Sequence, residues 1–234
     1  MLSRALLPVA LLVSLPVLAQ EAAPAARPGR IEVPDFRGVE VGYGLTAQVK
    51  PGDKEVRLEG AAAEVAKLKP RVKDGVLSFE MEKSGWFEGG GPKGVRLYVT
   101  NPRVESIRAS GGAHVEAEAT AADTFEASAS GGSHLSVSGV RSRKVETNAS
   151  GGSKVTLQGG TSELGVNASG GSQLHAQGLQ VESLQANASG GSRLEASPEQ
   201  SIQGNLSGGS EIRSTRKGAR VQVNSSGGSK VSAQ

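Results

Sequence analysis

The chain has 234 residues, enough for a sizeable core, but only 36% are hydrophobic and 3% aromatic, so that core is built from small aliphatic side chains. No cysteine is present, which excludes a disulfide framework and a cysteine-linked lipid anchor. A formal net charge of +3, with acids and bases interspersed, offers no footprint for a nucleic-acid partner.

Residues 1–19, MLSRALLPVALLVSLPVLA, place one cation at Arg4 ahead of an apolar stretch broken by Pro8 and Pro16. That is the layout of a secretory signal peptide cleaved after Ala19. Retained as an anchor, it would be short for the ~20 apolar residues of a membrane span. Losing Arg4 takes the 26 basic residues to 25, against 23 acidic, so the exported chain is nearly neutral. No other segment is apolar enough to span a bilayer, and the expected location is the periplasm, the cell surface or the medium.

Residues 20–30, QEAAPAARPGR, lack a hydrophobic period and read as a flexible lead-in. From 31 to 108 short alternating runs take over: IEVPDFRGVEVGYG, LTAQVK, EVRLEG, GVLSFEME and GVRLYVT. They are separated by PGD, KDG and GGGPKG, the pattern of strands and turns. Ala61 to Pro70, AAAEVAKLKP, is the one stretch with helical character, stopped by Pro70.

Between two of these strands lies KSGWFEGGGPKG, Lys83 to Gly94, with the single tryptophan, Trp86, beside Phe87. Two readings stand: a lid over the end of the fold, or an aromatic platform for a sugar ring or partner. GGGPKG is not a phosphate-binding loop, because no Gly-Lys-Ser/Thr follows the glycines.

From 109 to 234 the chain repeats itself. Ser-Gly-Gly begins at Ser110, Ser130, Ser150, Ser169, Ser189, Ser207 and Ser226, at spacings of 20, 20, 19, 20, 18 and 19. A period near 20 predicts a solenoid of about seven coils. The glycine pairs are Gly111 and Gly112, Gly131 and Gly132, Gly151 and Gly152, Gly170 and Gly171, Gly190 and Gly191, Gly208 and Gly209, Gly227 and Gly228. Paired glycines accept the positive φ of a tight corner, and the serine before them is small enough to stack and to satisfy a corner amide.

Phase within the repeat predicts which residues face inward. An aliphatic column runs Val115, Leu135, Val155, Leu174, Leu194, Ile212, Val231, with small apolar residues two positions on. A second set includes Phe125, Val145, Leu164, Leu184, Val221 and Val223. Identical phase in every coil means strands stacked in register ~4.8 Å apart, as in a single-stranded parallel β-helix, right-handed like other parallel crossovers.

At this point the chain resembles a family, DUF2807, the "putative auto-transporter adhesin, head GIN domain". FRGVEVGYGLTAQVKPGD is similar to that family's opening hairpin, VKDGVLSF to its next strand pair, and VRLYVTNPRVESIRASGGAHV to the strand that leads into the coils. The likeness runs from about Phe36 to the C-terminus. It implies an exported β-helical protein, with no enzymatic residue to carry over. Ser-Gly-Gly stands here where many relatives have Ser-Gly-Ser-Gly-Asp, so the resemblance brings no metal site with it.

Asn148, Asn167, Asn187, Asn205 and Asn224 each lie two residues before a corner serine, which predicts an asparagine ladder along the solenoid. They also form N-x-S sequons, but glycans one coil apart would collide. The variable position after the glycines holds His114, His134, Lys154, Gln173, Arg193, Glu211 and Lys230. His114 and His134 fall one above the other without a third ligand in the column, an incomplete metal site; no cofactor is expected.

Some β-helices cut polysaccharides, and that chemistry needs carboxylates converging on one groove. Glu116, Glu146 and Glu195 fall in different columns, and no G-x-S-x-G elbow occurs. The reading is therefore an exported, non-enzymatic binding or scaffold module of a bacterial envelope, with a carbohydrate-active lyase or hydrolase as the alternative. Its expected partner is a polysaccharide or an envelope protein. VNSSGGSKVSAQ stops in mid-coil, and the open strand edge this leaves predicts pairing with a second copy.

Overall fold

The computed structural model describes residues 29–81 and 91–233. Residues 1–19, expected to form a signal peptide, residues 20–28 of the expected lead-in, and Trp86 and Phe87 lie outside the described residues.

In chain order the elements begin with β1 (Arg30–Ile31), β2 (Gly38–Val41), β3 (Thr46–Pro51) and β4 (Glu55–Glu59). A single helical turn, α1 (Ala62–Val65), leads to β5 (Leu68–Lys73), β6 (Val76–Met81), β7 (Arg96–Asn101) and β8 (Ser106–Ala109). The coils follow as β9 (His114–Glu118), β10 (Ala122–Ala129), β11 (His134–Ala149), β12 (Lys154–Ala168) and β13 (Gln173–Ala188). The last are β14 (Arg193–Ala196), β15 (Ser201–Leu206), β16 (Glu211–Ser214), β17 (Arg220–Ser225) and β18 (Lys230–Ala233).

These strands build a parallel β-solenoid with two stacked faces. On the first face the order is β7, β3, β9, then the opening halves of β11, β12 and β13, then β14, β16 and β18. On the second it is β6, β2, β8, β10, the closing halves of β11 to β13, β15 and β17. Each long strand turns from one face to the other at a shift in register, between Val137 and Val140 in β11.

Six complete turns start at a Ser-Gly-Gly corner, and β18 begins a seventh, so the seven corners mark six full coils and a half. Leu135, Val155, Leu174, Leu194 and Ile212 pair in register and are buried at 2% exposure or less. Phe125, Val145, Leu164 and Leu184 do the same on the other face. The column fails in the last coil: Val221 is 44% exposed, and Val223 and Val231 are half-buried, because no further described coil covers them.

The N-terminal end departs from a simple hairpin arrangement. β2 and β3 do not pair with each other; they are successive sides of one coil, joined at a corner where Tyr43 (φ 57°) and Gly44 (φ 68°) occupy the left-handed conformation taken elsewhere by the glycine pair. That coil is interleaved: β6 and β7 lie on one side of it and β8 and β9 on the other. Beyond β7 and β6 the stack closes with antiparallel strands, β4 on β7, β1 on β4, and β5 on β6.

Helix α1 is shorter than the sequence predicts. Its N-cap is Ala61, which has no side chain to satisfy the first amides, and one turn is too short to propagate alone. Pro70 does not end a helix but sits inside β5, opposite Phe79. Among the described strands β5 pairs with β6 alone, so an edge strand absorbs the missing N–H.

Candidate functional site

Because side chains alternate along a strand, every strand of the first face turns the same two positions outward. One outward column reads Arg96, Thr46, His114, His134, Lys154, Gln173 along the stack; beside it runs Tyr98, Gln48, Glu116, Ser136, Thr156, His175. Toward the N-terminal end these columns line a shallow groove of about 420 Å³, floored by Ala47, Leu97, Val115 and Leu135. At one wall the Arg57 guanidinium lies 4.7 Å from the centroid of the Tyr98 ring. The His114 and His134 imidazoles stack at 4.7 Å and 8°.

Charge is distributed unevenly along this face. In the C-terminal half Glu211 gathers Arg213 at 3.0 Å, Lys230 at 3.3 Å and Arg193 at 3.5 Å. Unlike the exposed members of its column, Glu211 is buried. The hydrogen bond from Arg213, reinforced by Lys230, holds its carboxyl down at about 2 against the opposing effect of burial. His175 Nδ1 meets Glu195 at 2.8 Å. In the groove, by contrast, Arg96, Lys154 and Glu116 make no ion pair among the described residues. Among the described residues no three His, Cys, Asp or Glu side chains gather in a metal-holding group.

The second face carries the asparagines. Asn167 Nδ2 donates to Asn148 at 3.2 Å, Asn187 to Asn167 at 3.4 Å, Asn205 to Asn187 at 3.2 Å and Asn224 to Asn205 at 3.1 Å. Asn148 reaches Ser128 at 3.5 Å, where the column ends.

At the Ser130, Ser150 and Ser226 corners the hydroxyl that meets a backbone amide belongs to a different serine from the one read in the sequence, and at the Ser169, Ser189 and Ser207 corners that same serine donates to a backbone carbonyl. It is the serine after the glycines: Ser133, Ser153, Ser172, Ser192 and Ser210 are buried, whereas Ser130 and Ser150 are half-buried and Ser169, Ser189 and Ser207 exposed. Ser133 Oγ accepts from the Ser130 amide at 3.1 Å and donates to the Ala109 carbonyl at 3.0 Å. The first corner has Ala113 there. The signal was in the sequence, since the motif is Ser-Gly-Gly-Ser at six of seven corners.

A family model matches residues 35–218, covering the interleaved coil and the solenoid up to β16: DUF2807, "Putative auto-transporter adhesin, head GIN domain". The chain belongs to this family. Solved structures place the head GIN domain among proteins of the same fold. A putative adhesin from Bacteroides fragilis is 17% identical, with a TM-score of 0.80 over 88% of this chain and 95% of that one. A putative adhesin from Parabacteroides merdae is 15% identical, with a TM-score of 0.62 over 88% and 94%. A putative lipid binding protein from Parabacteroides distasonis is 12% identical, with a TM-score of 0.59 over 88% and 95%. No curated protein is similar to this head GIN domain. Among its described residues no helix is long and apolar enough to cross a membrane.

Proposed function

We propose that this head GIN domain is an exported, non-enzymatic binding module of the bacterial envelope, and that it binds through the groove on its first face. One observation carries the reading: five adjacent strands, β7, β3, β9, β11 and β12, set polar side chains around a concave surface and leave its charged groups without an ion pair among the described residues. A polar group without a partner of its own keeps its hydrogen-bonding capacity for a ligand. Family membership and the signal-peptide pattern of residues 1–19 support an exported adhesin-like role.

Turnover fits the groove less well. Among the described residues Glu116 is the one carboxylate that lines it, and glycoside hydrolysis uses a pair. The test is to titrate the chain lacking residues 1–19 against a polysaccharide panel, following both binding and polymer length. Saturable binding with polymer length unchanged is expected. Shortening of any polymer overturns the non-enzymatic reading, and a Tyr98→Ala variant that binds as well as the parent moves the site elsewhere.

A second copy is the other partner to weigh. Exposed Val221 and half-buried Val223 and Val231 at the last described coil support pairing through β17 and β18. Light scattering across a concentration series tests it: a monomer mass at every concentration rules it out.

A further inference from the structure

The groove lies across five consecutive strand layers, and its two permanent cations stand at its ends. Arg96 pairs in register with Thr46, Thr46 with His114, His114 with His134 and His134 with Lys154. Four strand steps separate Arg96 from Lys154, about 19 Å at the usual interstrand spacing. Between them the neighbouring column offers Gln48, Glu116, Ser136 and Thr156, and the imidazoles of His114 and His134 stack face to face.

We propose that this groove binds an acidic polysaccharide lying parallel to the solenoid axis, with carboxylates of the glycan meeting Arg96 at one end and Lys154 at the other. The proposal rests on the binding-module reading above and adds the class and direction of the ligand.

Three features of the site support it. The first is charge: among the described residues two cations and one carboxylate, Glu116, line the groove, and neither cation makes an ion pair, the Glu59 that pairs in register with Arg96 on β4 being taken by Arg57. Elsewhere on the coils Arg108 is matched by Glu126 at 2.9 Å and Arg143 by Asp123 at 3.0 Å, while Arg141 and Arg220, like the groove cations, make no ion pair among the described residues. What sets the groove cations apart is their placement, one at each end of a single row of in-register residues.

The second is repeat. A polymer of pyranose rings advances by a length close to one strand step, so successive sugars meet successive strands with the same offset. A compact ligand would use only two or three of the five strands. The third is donor chemistry. An amide, a carboxylate, hydroxyls and two imidazoles suit a ligand rich in hydroxyl groups, each of which both donates and accepts. Tyr98, pinned by Arg57, adds an apolar surface for a ring.

The experiment is calorimetric titration of the chain lacking residues 1–19 with polygalacturonate and with dextran of equal length. Polygalacturonate is expected to bind saturably, more weakly at higher salt, and to lose about tenfold in affinity in Arg96→Ala and in Lys154→Ala, the loss of one charge-assisted contact. Lys230→Ala, on the same face but outside the groove, is the control and retains parental affinity. Circular dichroism and a urea midpoint confirm that each variant is folded. Dextran binding as tightly as polygalacturonate, with loss on Tyr98→Ala, overturns the acidic class and leaves the binding-module reading standing. Polygalacturonate binding that ignores both Arg96→Ala and Lys154→Ala overturns the placement. Failure of both polymers overturns the inference, and the wider panel then decides the fate of the binding-module reading.

Discussion

The Ser153 hydroxyl donates at 2.9 Å to the carbonyl of Ala129, a residue of the preceding coil, while accepting at 3.1 Å from the Ser150 amide. One buried side chain thus ties a corner to itself and to its neighbour. Ser153→Ala is expected to cost about 1 kcal/mol, the net worth of a buried hydrogen bond. Ser150→Ala, at a half-buried position whose amide keeps its backbone acceptor on Ala129 at 3.0 Å, should change stability by less than about 0.5 kcal/mol. Urea denaturation of the two variants separates them; equal losses would return the structural role to the serine before the glycines.

The two glycines of one corner are not equivalent. Gly190 and Gly191 have φ of 66° and 80°, so alanine is strained at either. A Cβ on Gly190 would also lie 2.9 Å from the Gly170 nitrogen in the coil below, whereas a Cβ on Gly191 meets nothing within 4 Å. Gly191→Ala should therefore cost about 1 kcal/mol and Gly190→Ala clearly more, since rigid backbone must shift to relieve the contact. Thermal unfolding of the pair checks the order, and a larger loss at Gly191 would contradict it.

The asparagine column should contribute little per rung. Asn187 donates to Asn167 and accepts from Asn205, but both bonds are exposed to water, which competes for them. Asn187→Ala is expected to cost about 0.5–1 kcal/mol, while Leu184→Ala, three residues earlier and fully buried, should cost about 2–5 kcal/mol. If the asparagine variant proves as damaging as the leucine variant, the ladder rather than the core sets the stability of the coil.

The regular coils were legible because each repeats the same phase. Leu135, Val155 and Leu174 occupy one position of a period near 20, and stacking in register follows from that alone. What lay before the repeat was not legible. Gln48 pairs with Tyr98 on one side and Glu116 on the other, and no local pattern records that a coil from residues 38–51 slips between strands whose paired residues lie 38 to 68 positions later. The groove is made of that interleaving, so no single segment carries a motif for it, while Trp86 and Phe87, the aromatic pair that one segment does show, lie outside the described residues. Glu211 failed differently: its column is polar in every coil, and only the convergence of Arg193, Arg213 and Lys230 makes a buried carboxylate tolerable there.

Glu211 also sets an acid sensitivity. Its carboxyl titrates at about 2 in the fold, below its ordinary 4.5, so the folded form binds its proton more weakly than the unfolded chain does. The resulting stabilisation is fully present above pH 4.5 and is lost as pH falls toward 2. Its three cations are about half exposed, so solvent screens the network, and the contribution is about 1–2 kcal/mol. Glu211→Gln should be less stable than the parent by that amount at pH 7, with the gap narrowing between pH 4.5 and pH 2.5 as the parent loses its charge. Urea midpoints of both proteins across this range provide the measurement, and the other carboxylates cancel in the difference. Curves that stay parallel down to pH 2.5 would mean the ion cluster contributes nothing that depends on the Glu211 charge.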